Sequence, residues 1–165
     1  MNSEHLPMPH SSSPPGIVAG IDYGTVRIGV AVSDPRRVIA FPLVNYTRKT
    51  EARDAEFFRK LATDEQVTQF VVGLPLHLSG DLSDKACEAL AFGKWLGDLT
   101  GVPVDFYDER YTSVEAEEYL IEANVTRKKR KQKLDKVAAQ ILLTAYLESG
   151  CKGTTFDPEK HDEIR

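Results

Sequence analysis

One acidic residue closes an apolar run and is followed at once by glycines. The segment reads Gly16-Ile17-Val18-Ala19-Gly20-Ile21-Asp22-Tyr23-Gly24, then Thr25-Val26-Arg27-Ile28-Gly29-Val30-Ala31-Val32-Ser33-Asp34. Short apolar runs rich in β-branched residues suit strands covered on both faces, so Ile17 to Asp22 is expected to be a buried strand. A carboxylate there is expensive to bury unless it is paired or binds a cation. Gly24 and Gly29 allow a tight turn, so a second strand, Ile28 to Ser33, can pair beside the first. An acid at a strand end beside such a turn can hold Mg²⁺ and a phosphate. It can equally be a turn residue bonded to local amides. This segment alone leaves both readings open.

The rest of the chain fills out a mixed sheet. Val38 to Tyr46 reads as a third strand, at an edge or bulged because Pro42 lacks an N–H for the ladder. Glu51 to Asp64 reads as a helix with Ala55, Phe58, Leu61 and Ala62 on one side. Phe70 to Pro75 is a continuous apolar run, a central strand stopped by Pro75. Asp81 to Thr100 reads as a second helix and Val102 to Tyr107 as another strand. Thr112-Ser113-Val114-Glu115 fits a capping box, which starts a helix running to about Ala123 and gives Glu115 a structural role. The last helix is expected from Leu134 to Ser149, on the spacing of Leu134, Val137, Ala138, Ile141, Leu142 and Ala145, with Gly150 as its stop. The order β-β-β-α-β-α-β-α-α argues for an α/β fold, a mixed sheet with helices on both faces.

Residues 1–15 and 151–165 are expected to be a disordered N-terminal and a flexible C-terminal tail, because each holds too few apolar groups to offset the entropy of ordering. That leaves one domain, 16–150, with a single core. Cys87 and Cys151 have no His or Cys at zinc spacing and are expected as reduced thiols of a cytoplasmic protein. No apolar run is long enough to cross a bilayer, and the N-terminal segment lacks the pattern of a signal peptide. The four histidines are scattered, and His77 reads as a solvent-facing loop residue. Phe92 and Trp95 read as packing residues of the second helix.

Charge is unevenly spread. Arg127-Lys128-Lys129-Arg130-Lys131-Gln132-Lys133 carries six of the chain's 21 basic residues; the other 15 stand against 25 acidic residues, a net of −10. A polyanion would meet one concentrated positive segment, with salt-dependent affinity. The alternative is a solvated loop that touches nothing.

Three acidic points fall at element ends: Asp22 after the first strand, Asp108-Glu109 after the last strand, and Asp135 opening the last helix. Side chains alternate along a strand, so Asp108 and Glu109 cannot both face Asp22, and periodicity does not choose between them. In open α/β sheets, ligands bind beyond the carboxyl ends of the strands. Clustered carboxylates raise one another's proton affinity, and hard divalent cations relieve the conflict. Two such ions about 4 Å apart can activate water and stabilise the leaving oxygen of a phosphodiester. Asp135 could instead complement a helix dipole, and Asp108 could be a turn residue.

Four blocks in register resemble the YqgF (RuvX) family of pre-16S rRNA nucleases and Holliday-junction-resolvase-like proteins. They are Asp22-Tyr23-Gly24 with Arg27-Ile28-Gly29-Val30-Ala31 and Ser33-Asp34; Val71-Val72-Gly73-Leu74-Pro75 with Gly80; Asp108-Glu109-Arg110 with Thr112; and Arg127-Lys128 to Lys133 with Asp135, Ala138-Ala139, Ile141-Leu142 and Tyr146-Leu147. They span about Gly16 to Gly150. The resemblance implies a ribonuclease H-like fold, a mixed five-stranded sheet whose first three strands are antiparallel. It implies Asp22, Glu109 and Asp135 as catalytic residues holding Mg²⁺ or Mn²⁺. It also implies that Arg27, Arg110, Arg127, Lys128, Lys129, Arg130, Lys131 and Lys133 bind the nucleic-acid backbone. Tyr111, Ser113 and Leu143-Thr144 depart from the family pattern, but none of these removes an acid.

The expectation is therefore a two-metal-ion hydrolase acting on structured RNA, in 5′-end processing of pre-16S rRNA, as monomer or homodimer. Its partners would be nucleic acid, branched DNA included, and ribosomal precursor particles, with no membrane. Two rivals share the motifs: a Holliday junction resolvase, and a non-catalytic RNA-binding ribosome-assembly factor. A third reading, a nucleotide phosphotransferase, follows from the likeness of Ile21-Asp22-Tyr23-Gly24-Thr25 to the phosphate loop of actin-like ATPases. Those proteins enclose ATP between two such domains, and this chain has room for one.

Overall fold

The computed structural model describes residues 14–77, 79, 81–110 and 126–154, with the backbone alone over 127–136. The expected helix from Thr112 to about Ala123 and most of both expected tails lie outside these residues. Strands β1 (Ile17–Asp22), β2 (Arg27–Ser33) and β3 (Ala40–Thr47) are followed by helix α1 (Glu51–Asp64) and strand β4 (Val67–Leu74). Helix α2 (Asp84–Thr100), strand β5 (Val104–Asp108) and helix α3 (Arg127–Glu148) complete the described elements. The five strands form one sheet in the order β3-β2-β1-β4-β5. β1 and β3 run antiparallel to β2, while β4 and β5 run parallel to β1.

Alternation along the strands splits the core in two. Ala19, Ile21, Val30, Phe70 and Val72 pack with Phe58, Leu61, Phe92 and Leu96 of α1 and α2. Val18, Ala31 and Val71 pack on the other face with Ala139, Leu143, Tyr146 and Leu147 of α3. The close approach of α3 depends on Gly20, where an added Cβ would lie 2.8 Å from Leu143 Cβ and 3.2 Å from the Ala139 carbonyl.

Several boundaries differ from the sequence reading: β4 begins at Val67 rather than Phe70 and β5 at Val104 rather than Val102, and three further starts have a clear physical reason. β3 starts at Ala40, because Asp34 accepts from the Val38 and Ile39 amides at 2.7 and 2.8 Å and holds those residues in a turn. α2 starts at Asp84, since Ser83 caps it by accepting from the Ala86 amide at 3.0 Å. α3 starts at Arg127 rather than at Leu134. Lysine and arginine are good helix formers even where no apolar stripe marks the turn. At the other end, Thr154 donates its amide to the Phe106 carbonyl at 2.7 Å, so the chain is still bonded to β5 four residues past Gly150.

Candidate active site

The parallel strands β1, β4 and β5 end on one edge, where Asp22 closes β1 and Glu109 follows β5. Asp22 shares its strand face with Val18 and Gly20, the face that α3 covers. The Glu109 amide donates to the Leu74 carbonyl at 3.0 Å, which holds residue 109 beside the end of β4. Its side chain lies over Gly73: a Cβ at that position would overlap the Glu109 carboxylate. Gly73 therefore makes the space that lets the acid reach across β4 toward β1.

Asp22 and Glu109 are hydrogen-bonded to each other. Burial pushes the Glu109 carboxyl up to about 8, and the Asp22 charge, the bond to Asp22 and the Asp108 charge push in the same direction. Such a pair titrates as a unit, with one proton doing the work that a cation can do better. Asp108 is turned to another partner, accepting from the Arg110 amide at 2.9 Å and pairing with the Arg110 guanidinium.

Both acids line a cleft of about 400 Å³, together with Tyr23, Arg27 and Pro75. From α2, Lys85 and Glu88 line it as well. Neither was singled out in the sequence, where each reads as an ordinary exposed helix residue. Asp135 sits one helical turn before Ala139, whose backbone meets Gly20 in β1. It lies eight residues inside α3, so it does not open the helix and a role as first-turn dipole partner falls away. The Asp135 side chain and those of Arg127, Lys128, Lys129, Arg130, Lys131 and Lys133 lie outside the described residues. Among the described residues, no group of three or more metal-ligating side chains gathers.

Acids at the ends of parallel strands, on an antiparallel-then-parallel five-stranded sheet covered by helices on both faces, define a ribonuclease H-like protein. A solved structure of RuvC from T. thermophilus in complex with Holliday junction substrate superimposes with a TM-score of 0.52. It covers 84% of this chain and 98% of its own, at 17% identity, a likeness of fold. The family described as RuvX, Holliday junction resolvase, matches residues 16–149. The chain belongs to the RuvX family. A relative from Rhodopirellula baltica is 46% identical over 134 residues, 81% of this chain and 78% of its own. Another from Syntrophomonas wolfei is 40% identical over 139 residues, 84% of this chain and 99% of its own. Both carry the name "Putative pre-16S rRNA nuclease". Family and relatives agree on one activity, that of a nuclease.

Proposed function

We propose that this nuclease depends on Mg²⁺ or Mn²⁺, hydrolyses a phosphodiester bond in structured RNA, and acts in the cytoplasm on the 5′ end of pre-16S rRNA. The observation that carries this reading is the Asp22–Glu109 pair. Two hydrogen-bonded carboxyls face an open cleft, and the glycine beneath them leaves room for nothing but the acid. Oxygen donors that repel each other when ionised fit a hard divalent cation. Asp22 and Glu109 would hold it, with Asp135 brought from α3. When bound, divalent ions supply activation of water and charge stabilisation at the leaving oxygen.

The chain's own residues do the remainder. Arg27 on the cleft wall meets the strand's phosphates, and the basic turns of α3 extend that contact away from the acids. Arg110, tied to Asp108, stiffens the backbone just after Glu109. Among the described residues no helix is long and apolar enough to cross a membrane.

Labelled precursor rRNA and a four-way DNA junction, each incubated with Mg²⁺, Mn²⁺ or chelator, test the reading. Metal-dependent cut precursor is the expected result. Cutting of the junction alone would move the assignment to a resolvase, the description its family carries. Binding of RNA without any cutting would make it an assembly factor.

A further inference from the structure

A second cleft, of about 320 Å³, opens beside the acidic one and shares Tyr23 and Glu88 with it. Its floor is aromatic. Phe92 is buried, and its ring centroid lies 4.9 Å from that of Tyr23 and 5.5 Å from that of Trp95. Trp95 is only half-buried, so part of the indole faces the cleft. The rim is polar, with Lys49, Glu51 and Glu88 exposed around it.

Tyr23 is not free to swing. Arg48 donates from Nη1 to its hydroxyl at 3.0 Å and sits 5.4 Å from its ring centroid. Arg48 is held in turn by Asp54 at 3.3 Å. The partition between the two clefts is thus a fixed ring attached to the residue after Asp22. Aromatic surface beside a groove that tracks a sugar-phosphate strand acts as a stacking platform, because every base has a π-face. Carboxylates on the rim accept from the exocyclic amino groups of bases, and a lysine there answers a phosphate.

We propose that this second cleft is a nucleobase subsite. It takes one unpaired base of the bound strand, stacked on Trp95, next to the nucleotide whose phosphodiester lies over Asp22 and Glu109. The assignment rests on the nuclease reading for its register, but its test does not depend on cleavage. A substrate would have to present at least one unstacked nucleotide at the cut, as loops, bulges and branch points do.

Trp95 is the chain's single tryptophan, so its fluorescence reports this cleft alone. The full chain, without divalent metal, is titrated with single-stranded RNA and DNA hexamers and with an abasic hexamer of equal charge. Saturable quenching by the base-bearing strands and none by the abasic one is expected, and the RNA and DNA arms show which sugar is preferred. Ala91 is an exposed α2 residue lining the same cleft. Ala91→Leu, with unchanged melting, should abolish the quench and weaken binding of a 5′-labelled hexamer about tenfold. Equal quenching by the abasic strand, no quenching by any strand, or an unaffected Ala91→Leu would each overturn the subsite. Quenching without metal-dependent cleavage of either precursor rRNA or the four-way junction would leave the subsite standing and sink the nuclease reading. Cleavage without quenching would do the reverse.

Discussion

Gly73 and Glu109 occupy one space between them: any side chain at position 73 would stand where the Glu109 carboxylate lies. A single methyl group there must displace either the acid or the end of β4. Gly73→Ala should therefore lower metal-dependent cleavage by about 10²-fold, the effect of a misplaced catalytic group. The overpacking should also destabilise the fold by about 1–3 kcal/mol. Single-turnover cleavage and thermal melting separate the two effects. Near-normal cleavage by a folded Gly73→Ala protein would show that Glu109 is not held by this contact.

Asp22→Asn should abolish cleavage and leave the fold intact. It should also do something that a passive surface substitution would not. The Asp22 charge is one of the causes that raise the proton affinity of Glu109. With its carboxyl raised to about 8, Glu109 keeps a proton at neutral pH that the unfolded chain has released, and the metal-free protein loses stability by holding it; removing the Asp22 charge lowers that cost. Melting in chelator should then occur at a higher temperature than for the unaltered chain, by about 2–4 °C for each kcal/mol relieved. Added Mg²⁺ should stabilise the unaltered chain by mass action and the variant far less. An unchanged melting point in chelator together with an equal response to Mg²⁺ would remove Asp22 from the metal site.

The strands and α1 could be read from the sequence because apolar runs, β-branched residues and turn glycines all marked the same segments. α1 runs Glu51–Asp64 as its periodicity required, and β1 ends at Asp22 as its composition required. The choice between Asp108 and Glu109 could not be made from alternation. Glu109 lies past the last paired residue of β5, where the pleat no longer sets direction, and a bond to Leu74 positions it instead. No spacing rule connects position 73 with position 109. Nor does any mark Lys85, Glu88 or Trp95, which reach the site only because α2 packs against β4 and β5. The start of α3 was hidden for a different reason: seven residues with six charges show no apolar stripe, although each charged residue tolerates a helix well.

Asp54, on α1, ties that helix to the end of β3 and should govern the acid limb of stability. It is buried, which by itself would raise its carboxyl. The Lys49 amide, the Tyr46 hydroxyl and the Arg48 guanidinium outweigh that and hold it below the usual carboxylate range. Tyr46 donates to it at 2.7 Å and Lys49 at 2.9 Å. Because the folded value lies below the unfolded one, about 3.9, the unfolded chain binds more protons in acid. The contribution is complete above the unfolded value and is lost as pH falls through the folded one. Asp54→Asn should lower stability at pH 7 by about 1–3 kcal/mol and flatten the decline between pH 7 and acid. Denaturant melts across that range check both. A variant as acid-sensitive as the unaltered chain would place the titrating group elsewhere.

The basic turns that begin α3 make the final test one of electrostatics rather than chemistry. Lys128, Lys129, Lys131 and Lys133 lie on a continuous helix, so alanine at all four should keep the helix while removing four positive charges. If these lysines neutralise phosphates of a single strand, each contributes about 0.7 to the slope of log affinity against log salt. The fourfold variant should then show a slope shallower by up to about 3, with affinity lost most at low salt and little difference at high salt. Cleavage at saturating strand should change little, because the acids at the ends of β1 and β5 are untouched. A slope that stays the same would mean that these four lysines bind no phosphate. The strand would then have to be held by Arg127 and Arg130 of the same helix or by the cleft itself, through Arg27 and Lys85.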